Sequence, residues 1–155
     1  MAAMLFFPGH DGRRRCGRRV DLLPHVLGGG VDQRGLLRYF LLLIEIEHDV
    51  FPPAQQTQIR ASVAESLRGV VCQRLLPCPD GGLTLACEIL VSNTAIQNLI
   101  REGKSTGLRN TMETGVKEGM CLMDNVVFGL WQEKKISAAV AQMNINNRVL
   151  KAKIS

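Results

Sequence analysis

The sequence predicts an α+β fold, mostly helical, with one β-hairpin. Two patterns and a composition predict it. Leu108, Met112, Val116 and Met120 recur every fourth residue, the spacing of one helix face. Leu83, Leu85, Cys87, Ile89 and Val91 alternate with Thr84, Ala86, Glu88 and Leu90, the period of a strand. The chain has 155 residues, 46% hydrophobic and 21% charged, enough apolar material for one buried core.

The elements follow in order from residue 51. Pro52-Pro53 precedes a helical segment expected over 54–74, because proline is tolerated where first-turn amides have no intrahelical partner. Ile59, Val63, Leu67, Val70 and Val71 form its apolar stripe. Cys78-Pro79-Asp80-Gly81-Gly82 reads as a turn, which pairs the strand at 83–91 with the segment around Leu75. Ser92 or Asn93 caps the next helix, whose apolar face is Ile96, Leu99 and Ile100 and whose stop is Gly103. The four-residue repeat from Leu108 to Met120 is a further helix. Asp124 is the expected cap of a helix through Val127, Leu130 and Trp131, and Ser137 that of a last one.

Residues 1–50 are a different text. They hold seven arginines, six acids, all three histidines (His10, His25, His48) and no lysine, whereas residues 51–155 hold twelve basic and eight acidic residues. Residues 9–35 show no helical or strand period, and Gly28-Gly29-Gly30 interrupts any element there. Leu36 to Val50 reads as a short helix or strand. The formal charge is +5, and Arg13, Arg14, Arg15, Arg18 and Arg19 make the strongest local positive field. No aromatic residue is interleaved with them, so base stacking has no support and nucleic acid is not an expected partner.

Several function classes are excluded or weakened. No apolar run reaches about eighteen residues, so no membrane-spanning helix is expected, and Met1–Pro8 lacks the pattern of a secretory signal. Cys16, Cys72, Cys78, Cys87 and Cys121 form no CxxC pair, against a zinc site or a disulfide scaffold. Gly103-Lys104-Ser105 imitates the end of a phosphate-binding loop, but Asn98 stands where that loop needs its first glycine. The tripeptide also ends a helix, presenting the negative dipole end to any anion. The apolar run Phe40 to Ile44 followed by Glu45 imitates a magnesium-positioning strand, with no phosphate loop for it to serve. His48 between Glu47 and Asp49 reads as a hydrated loop histidine, since adjacent side chains point apart.

From Val50 onward the text resembles one family. Val50-Phe51-Pro52-Pro53, Gln55-Gln56, Gln58-Ile59-Arg60, Gly69-Val70, Gln73 to Pro77, Asp80-Gly81 and Ala86 to Leu90 are similar to the PilT-type pilus retraction motor ATPases, within the type II/type IV secretion ATPases. The most specific stretch is Ala95-Ile96-Gln97-Asn98-Leu99-Ile100-Arg101-Glu102-Gly103-Lys104, similar to the AIRNLIREGK box that separates retraction motors from assembly motors. Thr114-Gly115, Gly119-Met120 and Met123-Asp124 continue the likeness, which runs over 49–136. Gln97 stands in place of the box's first arginine and Thr94 in place of a proline.

The resemblance implies the C-terminal subdomain of a RecA-like (P-loop) ATPase with the catalytic half absent, and so a truncated relative. Residues 49–155 would be that subdomain and 1–48 a non-homologous, disordered leader, an out-of-frame reading of the lost segment. Family members form hexameric rings that use ATP and magnesium to withdraw pili at the inner membrane. For this chain the resemblance implies a cytoplasmic protein, peripheral at that membrane, that meets full-length family subunits or pilus machinery. It assigns no catalytic, cofactor-binding or metal-ligating residue, and no cofactor to the chain itself. The retained box (Ala95, Ile96, Asn98, Leu99, Ile100, Arg101, Glu102, Gly103, Lys104) would serve coupling and subunit contacts. The rival reading is a small basic module that docks on a full-length motor or on nucleic acid, resting on the arginine cluster alone.

Overall fold

Pro53 sits where a helix has no use for an amide hydrogen, and α1 (Pro53–Ser66) starts there, with Pro52 as its cap. The computed structural model describes residues 2–6, 52–104 and 106–154, the first five by backbone alone. α1 stops earlier than the apolar stripe suggested. Ser66 bonds back to the Ser62 carbonyl at 2.6 Å, and Leu67 turns into extended backbone with its N–H on Val63 O at 2.8 Å.

The expected helix over 54–74 is therefore corrected from Leu67 onward, and β2 (Gly69–Cys78) begins two residues later. Val70 and Val71 happened to continue the helical stripe, but β-branched side chains also suit a pleated sheet, and the ladder to a neighbouring strand decides. That strand is β3 (Gly82–Val91), antiparallel in unbroken register from Gly69↔Val91 to Cys78↔Gly82. Gly69 has a specific role: a Cβ there would lie 2.9 Å from Leu90 O. The hairpin closes through Pro79-Asp80-Gly81, with Gly81 at φ +82 and its N–H on Cys78 O at 3.3 Å.

A third strand, β1 (Ala2–Phe6), pairs antiparallel with β2 from Ala2↔Gln73 to Phe6↔Gly69, so the sheet order is β1-β2-β3. The one expected hairpin is β2–β3, and residues 2–6 add a strand along its β2 edge. The rest of 1–48, with the arginine cluster, the histidines and Phe40–Glu45, lies outside the described residues.

The sheet buries Val70, Cys72 and Leu76 of β2 and Ala86, Glu88 and Leu90 of β3. Its other face leaves Leu75, Leu83 and Leu85 exposed, although those residues look the more apolar set in sequence. One end of the buried face carries α1, α2 (Thr94–Arg101) and α3 (Thr106–Thr114), around Leu67, Ile96, Ile100, Leu108 and Met112. The other end carries α4 (Met123–Gln132), α5 (Ala138–Asn144) and α6 (Arg148–Lys151), around Val127, Ile136, Ala141 and Ile145. Cys121, between the two groups, bridges β3 at Ile89, on the edge away from β2.

Two further expectations shift. The repeat from Leu108 to Met120 is not one helix. α3 ends at Thr114, whose hydroxyl bonds the Thr111 carbonyl at 3.1 Å, and a 3-10 turn spans Gly115–Glu118. Val116 is exposed as a result, while Met120 reaches the core past Gly119 at φ +88. Asp124 does not cap α4; Leu122 holds that position and Asp124 lies inside the first turn. Ser137 caps α5 as expected, its hydroxyl accepting from Val140 N at 3.3 Å. α6 adds a short element capped by Asn147.

Candidate functional site

The most specific stretch of the resemblance, residues 95–104, lies on α2 and its exit. Asn93 starts the helix by accepting the Ile96 N–H at 3.0 Å, and its amide donates to Glu118 at 2.7 Å. The next turn divides the box in two. Ile96 and Ile100 are fully buried and Leu99 packs against the same core. Ala95, Asn98, Arg101, Glu102, Gly103 and Lys104 are exposed, and Gln97 is half-buried.

The helix ends in a paired closure. Gly103 takes φ +65; its N–H bonds Ile100 O at 3.1 Å, and the Lys104 N–H bonds Leu99 O at 2.9 Å. These are the two bonds of a Schellman end, and the left-handed residue between them favours glycine. The bonds also decide the phosphate-loop question. Both amides are used by the helix's own carbonyls, so they cannot cradle an anion, and the end they close carries negative dipole charge.

Charges around this end pair locally. Arg101 donates to the Asn98 side-chain oxygen at 3.0 Å. Lys104 pairs with Glu102 at 2.8 Å, and that hydrogen bond and charge raise the lysine above its ordinary value. With both partners exposed, the pair adds little stability and is free to be exchanged for a partner's charges.

Two supports were not legible in sequence. A Cβ on Gly107 would come within 2.7 Å of Leu99 Cδ2, so α3 starts in close approach to the box. The Arg60 side chain of α1 runs 3.9 Å from where a Gly103 Cβ would stand, and among the described residues its buried Nε meets no hydrogen-bond partner. Their signals, a glycine and an arginine in ordinary surroundings, distinguish neither from its neighbours.

A second cluster joins α3, α4 and the α5–α6 link. The buried Asp124 carboxylate accepts from Arg109 Nη2 at 3.0 Å, Asn146 N at 2.9 Å and Asn147 N at 3.1 Å. Burial lowers the Arg109 guanidinium, but hydrogen bonding and charge from Asp124, with Glu113, more than offset this and leave it raised. Glu88 reaches from the sheet to accept the Met123 N–H at 3.3 Å, supplying the cap that α4 lacks locally. Burial, with Glu88 adding to it, pushes the Cys72 thiol up to about 12.

Chemically, this surface offers charges and a rigid helix. Among the described residues no group of three or more His, Cys, Asp or Glu could hold a metal ion. Among them also, no helix is long and apolar enough to cross a membrane.

Comparison with known proteins decides the kinship. No protein-family profile matches the chain. The chain is 37% identical over 100 residues to a twitching motility protein of Neisseria gonorrhoeae, covering 64% of this chain and 27% of that one. It is also 37% identical over 89 residues to the type IV pilus retraction ATPase PilT of Pseudomonas aeruginosa, covering 57% and 26%. The crystal structure of the pilus retraction motor PilT with bound ADP superposes with a TM-score of 0.58 at 33% identity, over 70% of this chain and 30% of that one.

The chain is a partial PilT-type relative. It spans about a quarter of the length of the curated relatives it matches. The α+β subdomain described above thus matches a portion of the pilus retraction motor PilT, with the box residues set on α2 and its exit.

Proposed function

We propose that this chain supplies the movement-transmitting part of a PilT-type retraction motor and does not itself turn over ATP. Residues 49–155 are the working unit. The surface end of α2, with Arg101, Glu102 and Lys104, is the contact through which motion passes to a neighbouring family subunit or to pilus machinery. The protein acts in the cytoplasm beside the inner membrane.

The observation that carries this reading is the division of the box: Ile96 and Ile100 are locked into the core while the charges on the same short helix stay in water. A helix anchored so firmly moves only with its subdomain, and its charges meet whatever the subdomain is pushed against. Phosphoryl transfer needs positioned phosphate donors and a metal-holding acid, and the Gly-Lys pair at 103–104 closes a helix instead.

The test is a chimera. Residues 52–154 replace the corresponding part of the Pseudomonas aeruginosa PilT, and twitching and ATP turnover are measured together. The expected result is twitching in the chimera, and its loss with turnover retained when Arg101, Glu102 and Lys104 all become alanine. Undiminished twitching in that triple variant would remove the role assigned to the box.

A further inference from the structure

Two cysteines outside the box stand together on the outer side of the sheet. Ile89 and Cys121 exchange both backbone hydrogen bonds, each at 3.0 Å, which clamps residue 121 to the edge of β3. Cys87 lies two residues before Ile89, and alternate residues of a strand share a face. The Cys121 thiol donates to the Cys87 carbonyl at 3.4 Å, and the Cys87 side chain is itself a hydrogen-bond partner and charge neighbour of that thiol. Both cysteines are free and half-buried. Leu85, next along the same face, is 48% exposed, so solvent reaches the pair from that side.

We propose that Cys87 and Cys121 form a two-thiol site for a soft, thiophilic metalloid, of which trivalent arsenic is the type. Sulfur donors select soft centres, and here two are presented by backbone already fixed in place, so little ordering is needed on binding. Cys72 cannot compete, being buried on the opposite face, and Cys78 stands at the far end of the hairpin. Simple oxidation is a poor alternative: burial raises the Cys121 thiol, which depresses the thiolate that disulfide exchange requires. An arsenoxide takes protonated thiols directly. Two S–H bonds break, two As–S bonds form, and the oxide oxygen leaves as water with both protons, arsenic staying trivalent. The bound centre would staple the entrance of α4 to β3, and so one core group to the other.

The probe is phenylarsine oxide on the full chain, read by intact mass. One phenylarsenic group should add with loss of two thiol hydrogens. It should resist excess monothiol about 100-fold better than a single-thiol adduct, and be released by a dithiol. Cys87→Ser and Cys121→Ser should each abolish this resistant adduct, while Cys78→Ser keeps it; melting curves of the serine variants confirm that they are folded. The proposal is overturned if a resistant adduct survives in either folded serine variant, or if the native adduct is stripped by monothiol.

Discussion

Asp124 binds more of the helical half together than any neighbouring side chain, because one buried carboxylate satisfies an arginine and two backbone amides at once. Asp124→Ala leaves those donors without an acceptor and should cost about 3 kcal/mol in urea denaturation. Arg109→Ala should cost about 1 kcal/mol, since the guanidinium is 44% exposed and solvent screens its share. Equal losses from the two would contradict the asymmetry. Cys72 makes a pH prediction. Its folded value of about 12 lies above the ordinary 9.0, so the fold favours the protonated thiol. The stability this contributes is complete below pH 9.0 and lost as the pH rises towards about 12. The urea midpoint should therefore fall above pH 9, and Cys72→Ala, though less stable at neutral pH, should flatten that fall. An unchanged slope in the variant would assign the alkaline loss to other groups. Sequence alone placed Asp124 at the right helix end but in the wrong role. Its partners stand 15 to 23 residues away, and local pattern carries no such information.

Two helices end in the same hydrogen-bonded closure with different residues in the left-handed position. α2 uses Gly103, at φ +65; α4 uses Lys134, at φ +60, with Lys134 N on Trp131 O and Lys135 N on Leu130 O, both at 2.9 Å. A side chain in that conformation is strained, so Gly103→Ala should lose about 1 kcal/mol and Lys134→Gly should gain about 0.5–1 kcal/mol. Thermal denaturation of the two variants checks the opposite signs; a loss in both would mean that the closures are not equivalent. The α2 stop, its Asn93 cap and its buried isoleucines were all legible, because caps and helical periodicity act within a few residues. The stretch from Gly69 to Arg74 was not. Val70, Val71 and their neighbours satisfy a helical stripe and a pleated strand equally, and the choice is made by β3, more than ten residues on. The same limit hid the close approach of Gly107 to Leu99.

On the scale of the whole molecule, two helical groups share one sheet face, bridged at Cys121 and Asp124. That arrangement suits a body that is pushed as a unit, with the charged end of α2 at its surface. The opposite sheet face leaves Leu75, Leu83 and Leu85 in water, an apolar cluster that should bind a hydrophobic dye and favour association in solution. A chain that stays monomeric and dye-free at high concentration would contradict this.

The central claim is that the subdomain passes motion on without gripping triphosphate. Titration of the purified chain with a fluorescent ATP analogue and magnesium tests it most directly. The account predicts no saturable binding and no phosphate release above background; a saturating, one-to-one isotherm displaced by unlabelled ATP would contradict it.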